Sequence, residues 1–116
     1  MNMKFGDVLK EYRRAAGMTQ RELADRAGLD FSYISKIENN RIPPPAADTI
    51  VQICKILNVQ PDELLSLTGK IPTQMKSDVI TSKSAFRFLR EAQEMKLNDD
   101  EWLEMSKSLK KLRKQK

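Results

Sequence analysis

Gly28 separates two stretches that are each long enough for one short helix, and this spacing constrains the chain more than any other feature. Thr19 and Glu22, three residues apart, form a capping box, so a helix is expected to begin at Gln20 with Leu23, Ala24 and Ala27 on one face. Glycine reaches positive φ without steric cost, which suits Gly28 to the residue just past a helix end. Asp30 can then cap a second helix over about residues 31 to 39. Ala24 is small enough to let the two helices cross closely, and Ile34 with Ile37 would hold the second one down.

The flanking sequence extends this pair into a larger helical unit. Phe5, Val8, Leu9 and Tyr12 give an amphipathic first helix ended by Gly17. Pro43, Pro44 and Pro45 cannot all be helical and imply an extended connection. Ile50, Ile53, Cys54 and Leu57 form the stripe of a fourth helix, and Pro61 at the first helical position, with Asp62 and Glu63, opens a fifth. The expectation is an all-α domain over residues 1–67.

The stretch from Gln20 to Asn39 resembles the helix-turn-helix of the lambda-repressor and Cro superfamily, the xenobiotic-response-element-type regulators of bacteria and phages. Gln20 opens the motif, with Ala24, Gly28, Ile34 and Ile37 at its fifth, ninth, fifteenth and eighteenth positions. Phe5 to Ala16, Ala47 to Leu57 and Pro61 to Leu67 look like the flanking helices of that family's five-helix domain. The resemblance covers a little over half the chain and leaves the C-terminal 49 residues outside it. It implies a lambda-repressor-like fold, double-stranded DNA as partner and a role in transcription.

Helical geometry then sorts the second helix. With Ile34 and Ile37 inward, an advance of about 100° per residue leaves Ser32, Ser35, Lys36 and Asn39 facing out. The resemblance makes the positions of Phe31, Ser32 and Lys36 base readers. Phe31 suits a thymine methyl, Ser32 either base type and Lys36 guanine O6 and N7. Tyr33 falls on the flank nearer the core. Gln20 is expected at a phosphate because it opens a helix at the positive end of its dipole, and Arg21 beside it is a further candidate. By resemblance, Asn39 and Arg41 are also phosphate contacts, and Arg13 and Glu38 form a structural ion pair rather than a readout element.

Charge is unevenly placed along the chain. The net charge is +5, yet residues 1–67 carry nine basic and nine acidic residues. Residues 68–116 carry twelve and seven, with six of the twelve among the last ten positions. DNA binding by the first domain must therefore depend on where its charges sit, and the tail adds attraction independent of sequence.

Residues 68–83 contain Gly69 and Pro72, show no sustained period and are expected to form a linker. Ser84 can cap a helix running to about Lys96, with Phe88, Leu89, Ala92 and Met95 apolar. Asn98 and Glu101 form another capping box and start a last helix. Along it, Trp102, Met105, Leu109 and Leu112 recur at spacings of three, four and three, a heptad-like seam too short to be stable alone. Residues 84–116 are expected to be a two-helix dimerisation element, the other possibility being packing within the chain.

Histidine is absent and there is one cysteine, so no metal site, cofactor or catalytic centre is expected, and neither is an enzyme. Cys54, set among Ile53, Ile56 and Leu57, reads as a core residue in a reducing compartment. No apolar run approaches the length of about 18 residues that spans a membrane, and the N-terminus lacks a signal-peptide apolar region, so the protein is expected to be cytoplasmic. The combined expectation is a dimeric, sequence-specific regulator, a repressor of the phage, mobile-element or restriction-controller type, bound to an inverted-repeat operator. Two alternatives stand beside it: an antitoxin whose C-terminal helices hold a toxin, and an adaptor that binds protein and has lost DNA recognition.

Overall fold

The computed structural model describes residues 3–114, and every regular element among them is an α-helix. In chain order these are α1 (Phe5–Ala15), α2 (Gln20–Ala27), α3 (Phe31–Glu38), α4 (Ala47–Leu57), α5 (Asp62–Thr68), α6 (Thr73–Ile80), α7 (Lys83–Met95) and α8 (Asp99–Lys114). The chain divides into two units, the first ending at Lys76 and the second beginning at Ser77.

In the first unit α3 packs against both α1 and α2, α4 packs on α2, and α5 closes against α1 and α4. The sequence explains why these helices begin and stop where they do. Thr19 Oγ1 accepts from the Glu22 N–H while a Glu22 carboxylate oxygen accepts from the Thr19 N–H, the expected reciprocal cap. Gly28 ends α2 at φ 67°, and the N–H groups of Gly28 and Leu29 turn back to the carbonyls of Asp25 and Ala24. Asparagine does the same work after α3 and α4, where Asn40 and Asn58 both lie at φ 58°. Asparagine tolerates this left-handed region better than most side chains.

Helices this short gain most of their stability from packing. Leu9, Leu23, Ile34, Ile37, Ile50, Ile53 and Leu64 are fully buried in one cluster, with Val8, Ala24 and Cys54 among them. Burial pushes the Cys54 thiol up to about 11, as suits a core residue. At the edge, Tyr12 donates from its hydroxyl to Glu63 at 2.5 Å, tying α1 to α5. That hydrogen bond is the main reason its phenol is pushed up to about 12.

Several local expectations are corrected. Residues 73–80, inside the segment read as a linker, form α6. It buries no residue, and Asp48 of α4 accepts at its start from the Thr73 N–H at 2.8 Å and the Thr73 hydroxyl at 2.7 Å. A partner 25 residues away is invisible to a local reading of period. Ser82, not Ser84, caps α7, accepting from the Ala85 N–H at 3.1 Å. Asp30 occupies the N-cap of α3 without a side-chain cap bond, and Pro61 stands at the N-cap of α5, one position before the first turn.

In the second unit Asn98 and Glu101 exchange the two bonds of the expected capping box, at 2.8 and 3.1 Å. Of the α7 stripe only Ala92 is buried, whereas Phe88, Leu89 and Met95 are exposed. Trp102, Met105, Leu109 and Leu112 on α8 are exposed as well. Lys116, the last of the basic tail, lies outside the described residues. No helix among the described residues is long and apolar enough to cross a membrane.

Candidate nucleic-acid interface

The placement of α3 is decided from behind. Ile34, Ile37 and Glu38 are its buried residues, and Glu38 is only 1% exposed. A buried carboxylate needs partners, and α1 and α2 supply them. Arg13 donates from Nε and Nη2 to the two Glu38 oxygens at 2.6 and 2.9 Å, and Gln20 Nε2 donates to Glu38 Oε1 at 2.9 Å. Arg13, itself 8% exposed, uses Nη1 on the Met18 carbonyl at 2.7 Å. Its hydrogen bond with Glu38 pushes the guanidinium above its ordinary value, outweighing the desolvation that lowers it. Every buried side-chain nitrogen and oxygen among the described residues has a partner.

With its back held, α3 turns Phe31, Ser32, Lys36 and Asn39 outward, and Ser35 is half-buried on the same side. Tyr33 packs half-buried against the core, on the flank where helical geometry put it. Phe31, 40% exposed, lies under the guanidinium of Arg21, 4.5 Å from Cζ to the ring centroid. This cation–π contact joins the first turns of α2 and α3. Asn39 bends its amide back to Ser35, where Nδ2 donates to the carbonyl at 2.9 Å and, at 3.5 Å, to the hydroxyl oxygen. Arg41 is exposed just beyond α3, and its backbone N–H closes the helix on the Lys36 carbonyl at 2.9 Å.

Gln20 also has a partner inside the domain. One of its two side-chain N–H groups is used on Glu38, so toward a phosphate it offers the other and the backbone at the positive end of α2. Lys10 and Arg14, which the sequence reading passed over, line an open groove with Gln20, Arg21 and Phe31. Their i, i+4 spacing on the first helix was the available signal. Four cationic side chains, Lys10, Arg14, Arg21 and Lys36, thus lie on or beside this face of a domain that is neutral in sum.

Residues 9–64 match the family model described as Helix-turn-helix, HTH_3. The crystal structure of SinR, the master regulator for biofilm formation, in complex with DNA is 34% identical over a match covering 53% of this chain and 97% of that one, with a TM-score of 0.50. The chain belongs to the helix-turn-helix family. Among curated members it is 37% identical over 67 residues to the HTH-type transcriptional regulator RghRB of Bacillus subtilis (strain 168), a match covering 58% of this chain and 48% of RghRB. The chain spans about half the length of the curated relatives it matches. These helix-turn-helix relatives are transcription regulators and not enzymes. A SinR–SinI complex structure is alike in fold alone, at 24% identity and a TM-score of 0.51 over 97% of this chain and 99% of that one. The family match ends at residue 64, within α5, so α6, α7 and α8 lie beyond it.

Proposed function

We propose that this chain is a sequence-specific, dimeric repressor that lays α3 in the major groove of an inverted-repeat operator. The observation that carries the reading is the two-sided character of α3: its inner side is pinned through Ile34, Ile37 and Glu38 while Phe31, Ser32 and Lys36 are open. A helix fixed this firmly can hold side chains in register with base edges. Phe31, Ser32, Ser35 and Lys36 are assigned to bases. Gln20, Arg21, Asn39 and Arg41 are assigned to phosphates, joined by Lys10 and Arg14. The DNA complex of SinR supports the choice of partner.

Binding measurements on two variants test this division of labour. Lys36→Ala is expected to weaken the preferred site by about 1–3 kcal/mol and flatten discrimination at one base position. Arg41→Ala is expected to weaken all sequences alike and lower the salt slope by about one unit. Equal, uniform losses in both variants would show that the assignment is wrong.

Dimerisation is assigned to residues 84–116. Trp102, Met105, Leu109 and Leu112 are 43, 39, 61 and 60% exposed, an apolar row of the kind that marks interaction sites. Sedimentation is expected to show a dimer for the full chain and a monomer for Leu109→Asp, because that change sets a charge in an apolar seam. A dimer unaffected by Leu109→Asp would move the interface elsewhere and leave the seam to a different protein, as the antitoxin reading requires.

A further inference from the structure

The last helix carries its charges in one order. On α8 the four carboxylates of Asp99, Asp100, Glu101 and Glu104 all come before the five cations of Lys107, Lys110, Lys111, Arg113 and Lys114. Its apolar row is ordered too. Trp102, Met105, Leu109 and Leu112 follow at spacings of three, four and three, intervals that read the same from either end. The midpoint of the row is residue 107, and the charge changes sign at that point as well. Acid before base suits the dipole of any single helix, but a dipole asks nothing of the apolar row, and no lone helix needs the two patterns to share a centre.

The described residues of the second unit do not cover this row. Its four members are exposed, and so are Phe88 and Leu89 on α7. An interface between two copies related by a two-fold axis uses the same surface on both sides and must complement itself. α8 meets that condition in one direction only. Turned end for end about residue 107, a second α8 sets the partner's Leu112 against Trp102 and the partner's Leu109 against Met105, which closes the row in two equivalent halves. On one flank Asp99 then lies beside the partner's Arg113, and on the other Glu101 and Glu104 lie beside the partner's Lys111. Laid parallel, the same helices bring Glu101 beside the partner's Asp99 and Lys111 beside the partner's Arg113, like charge against like. Lys107 adds no repulsion at the centre, because an advance of about 100° per residue turns it to the face opposite the row, where it pairs with Glu104 of its own helix at 3.1 Å.

We infer that the occupant of this row is a second copy of the chain whose α8 runs antiparallel, with the two-fold axis passing at residue 107. The inference rests on the dimeric reading above and adds to it the direction of the partner and the charges that choose it. An unlike protein imposes no symmetry on the helix it binds, whereas a second copy requires the shared centre that α8 displays.

Nitroxide labels on single cysteines read the direction in the full-length protein, since Cys54 is buried and stays unlabelled. Asp99→Cys and Ser106→Cys place labels seven residues apart on one flank of α8. In the antiparallel pair the two copies of residue 99 lie about 24 Å apart along the axis and the two copies of residue 106 about 3 Å. Dipolar distance measurement is therefore expected to give a separation at 99 longer than that at 106 by about 10 Å or more. Equal separations at the two positions overturn the antiparallel pair while leaving a dimer. Should the label at 99 itself part the two copies, Arg113→Cys on the same flank replaces it, with an expected axial separation of about 18 Å. A wild-type dimer whose labels are beyond measurable range at all three positions puts the interface away from α8 and overturns the inference. A wild-type monomer in sedimentation overturns the dimeric reading first and leaves the row to an unlike protein, which separates that failure from an error of direction.

Discussion

Replacing Arg13 with alanine is expected to destabilise the N-terminal domain by about 3–5 kcal/mol, a large share of the stability of a domain this size. The substitution strips two charge-assisted bonds from Glu38 and leaves a carboxylate that is 1% exposed with Gln20 Nε2 as its remaining partner. Arg13→Lys is not a mild alternative. A lysine cannot present the fork that meets both Glu38 oxygens and the Met18 carbonyl together. Replacing both partners by apolar residues of similar volume is expected to cost much less, because no buried charge is then stranded. Urea unfolding followed through the methyl resonances of Ile34 and Ile37 reports on this domain alone. A loss below about 1 kcal/mol for Arg13→Ala would mean that the pair behaves like a surface ion pair and does not anchor α3.

Gly6→Ala is expected to cost about 3 kcal/mol or more and to weaken DNA binding with it. A Cβ at Gly6 falls 2.3 Å from the Ile37 carbonyl oxygen, 2.6 Å from that of Glu38 and 2.7 Å from Asn40 Oδ1. Two of these are backbone atoms at the end of α3, so the clash cannot be relieved by a rotamer change, and overpacking of this kind typically costs 1–3 kcal/mol, about, even where side chains can shift. The Gly6 N–H also donates to Asn40 Oδ1 at 2.9 Å, fixing the start of α1 against the left-handed residue just past α3. Gly28→Ala gives the control. Its Cβ meets nothing within 4 Å, leaving only the strain of φ 67°, about 1–2 kcal/mol. If the two variants were equally stable with equal DNA affinity, the close approach at Gly6 would not be what seats α3.

Most of the first domain was legible because its signals are local. The capping box at Thr19 and Glu22, the turn at Gly28 and the spacing of Ile34 and Ile37 each act within one or two helical turns, and each appears in the fold as expected. The pairing of Arg13 with Glu38 was expected from the family resemblance, not from residue spacing, and its burial was not anticipated. What escaped notice depends on long-range partners. Gly6 lies in the first turn of α1, where a glycine carries no periodic signal, and the carbonyls of Ile37 and Glu38 that crowd it come from more than 30 residues away. The turn of Gln20 toward Glu38 and the Asp48 bonds that begin α6 join residues 18 and 25 apart, and no periodicity encodes them. Asn40 and Asn58 could have been read as left-handed helix ends, a role in which glycine is the more familiar signal.

Selection of bound fragments from random double-stranded DNA by the full-length protein, at stated salt, tests the central claim most directly. An inverted repeat is expected, with half-site centres roughly 10 bp or a multiple of it apart. Lys36→Ala should lose information at one base pair in each half-site and at no other. Enrichment of a single unrepeated half-site, or no enrichment over non-specific binding, would contradict a dimer that reads DNA through α3.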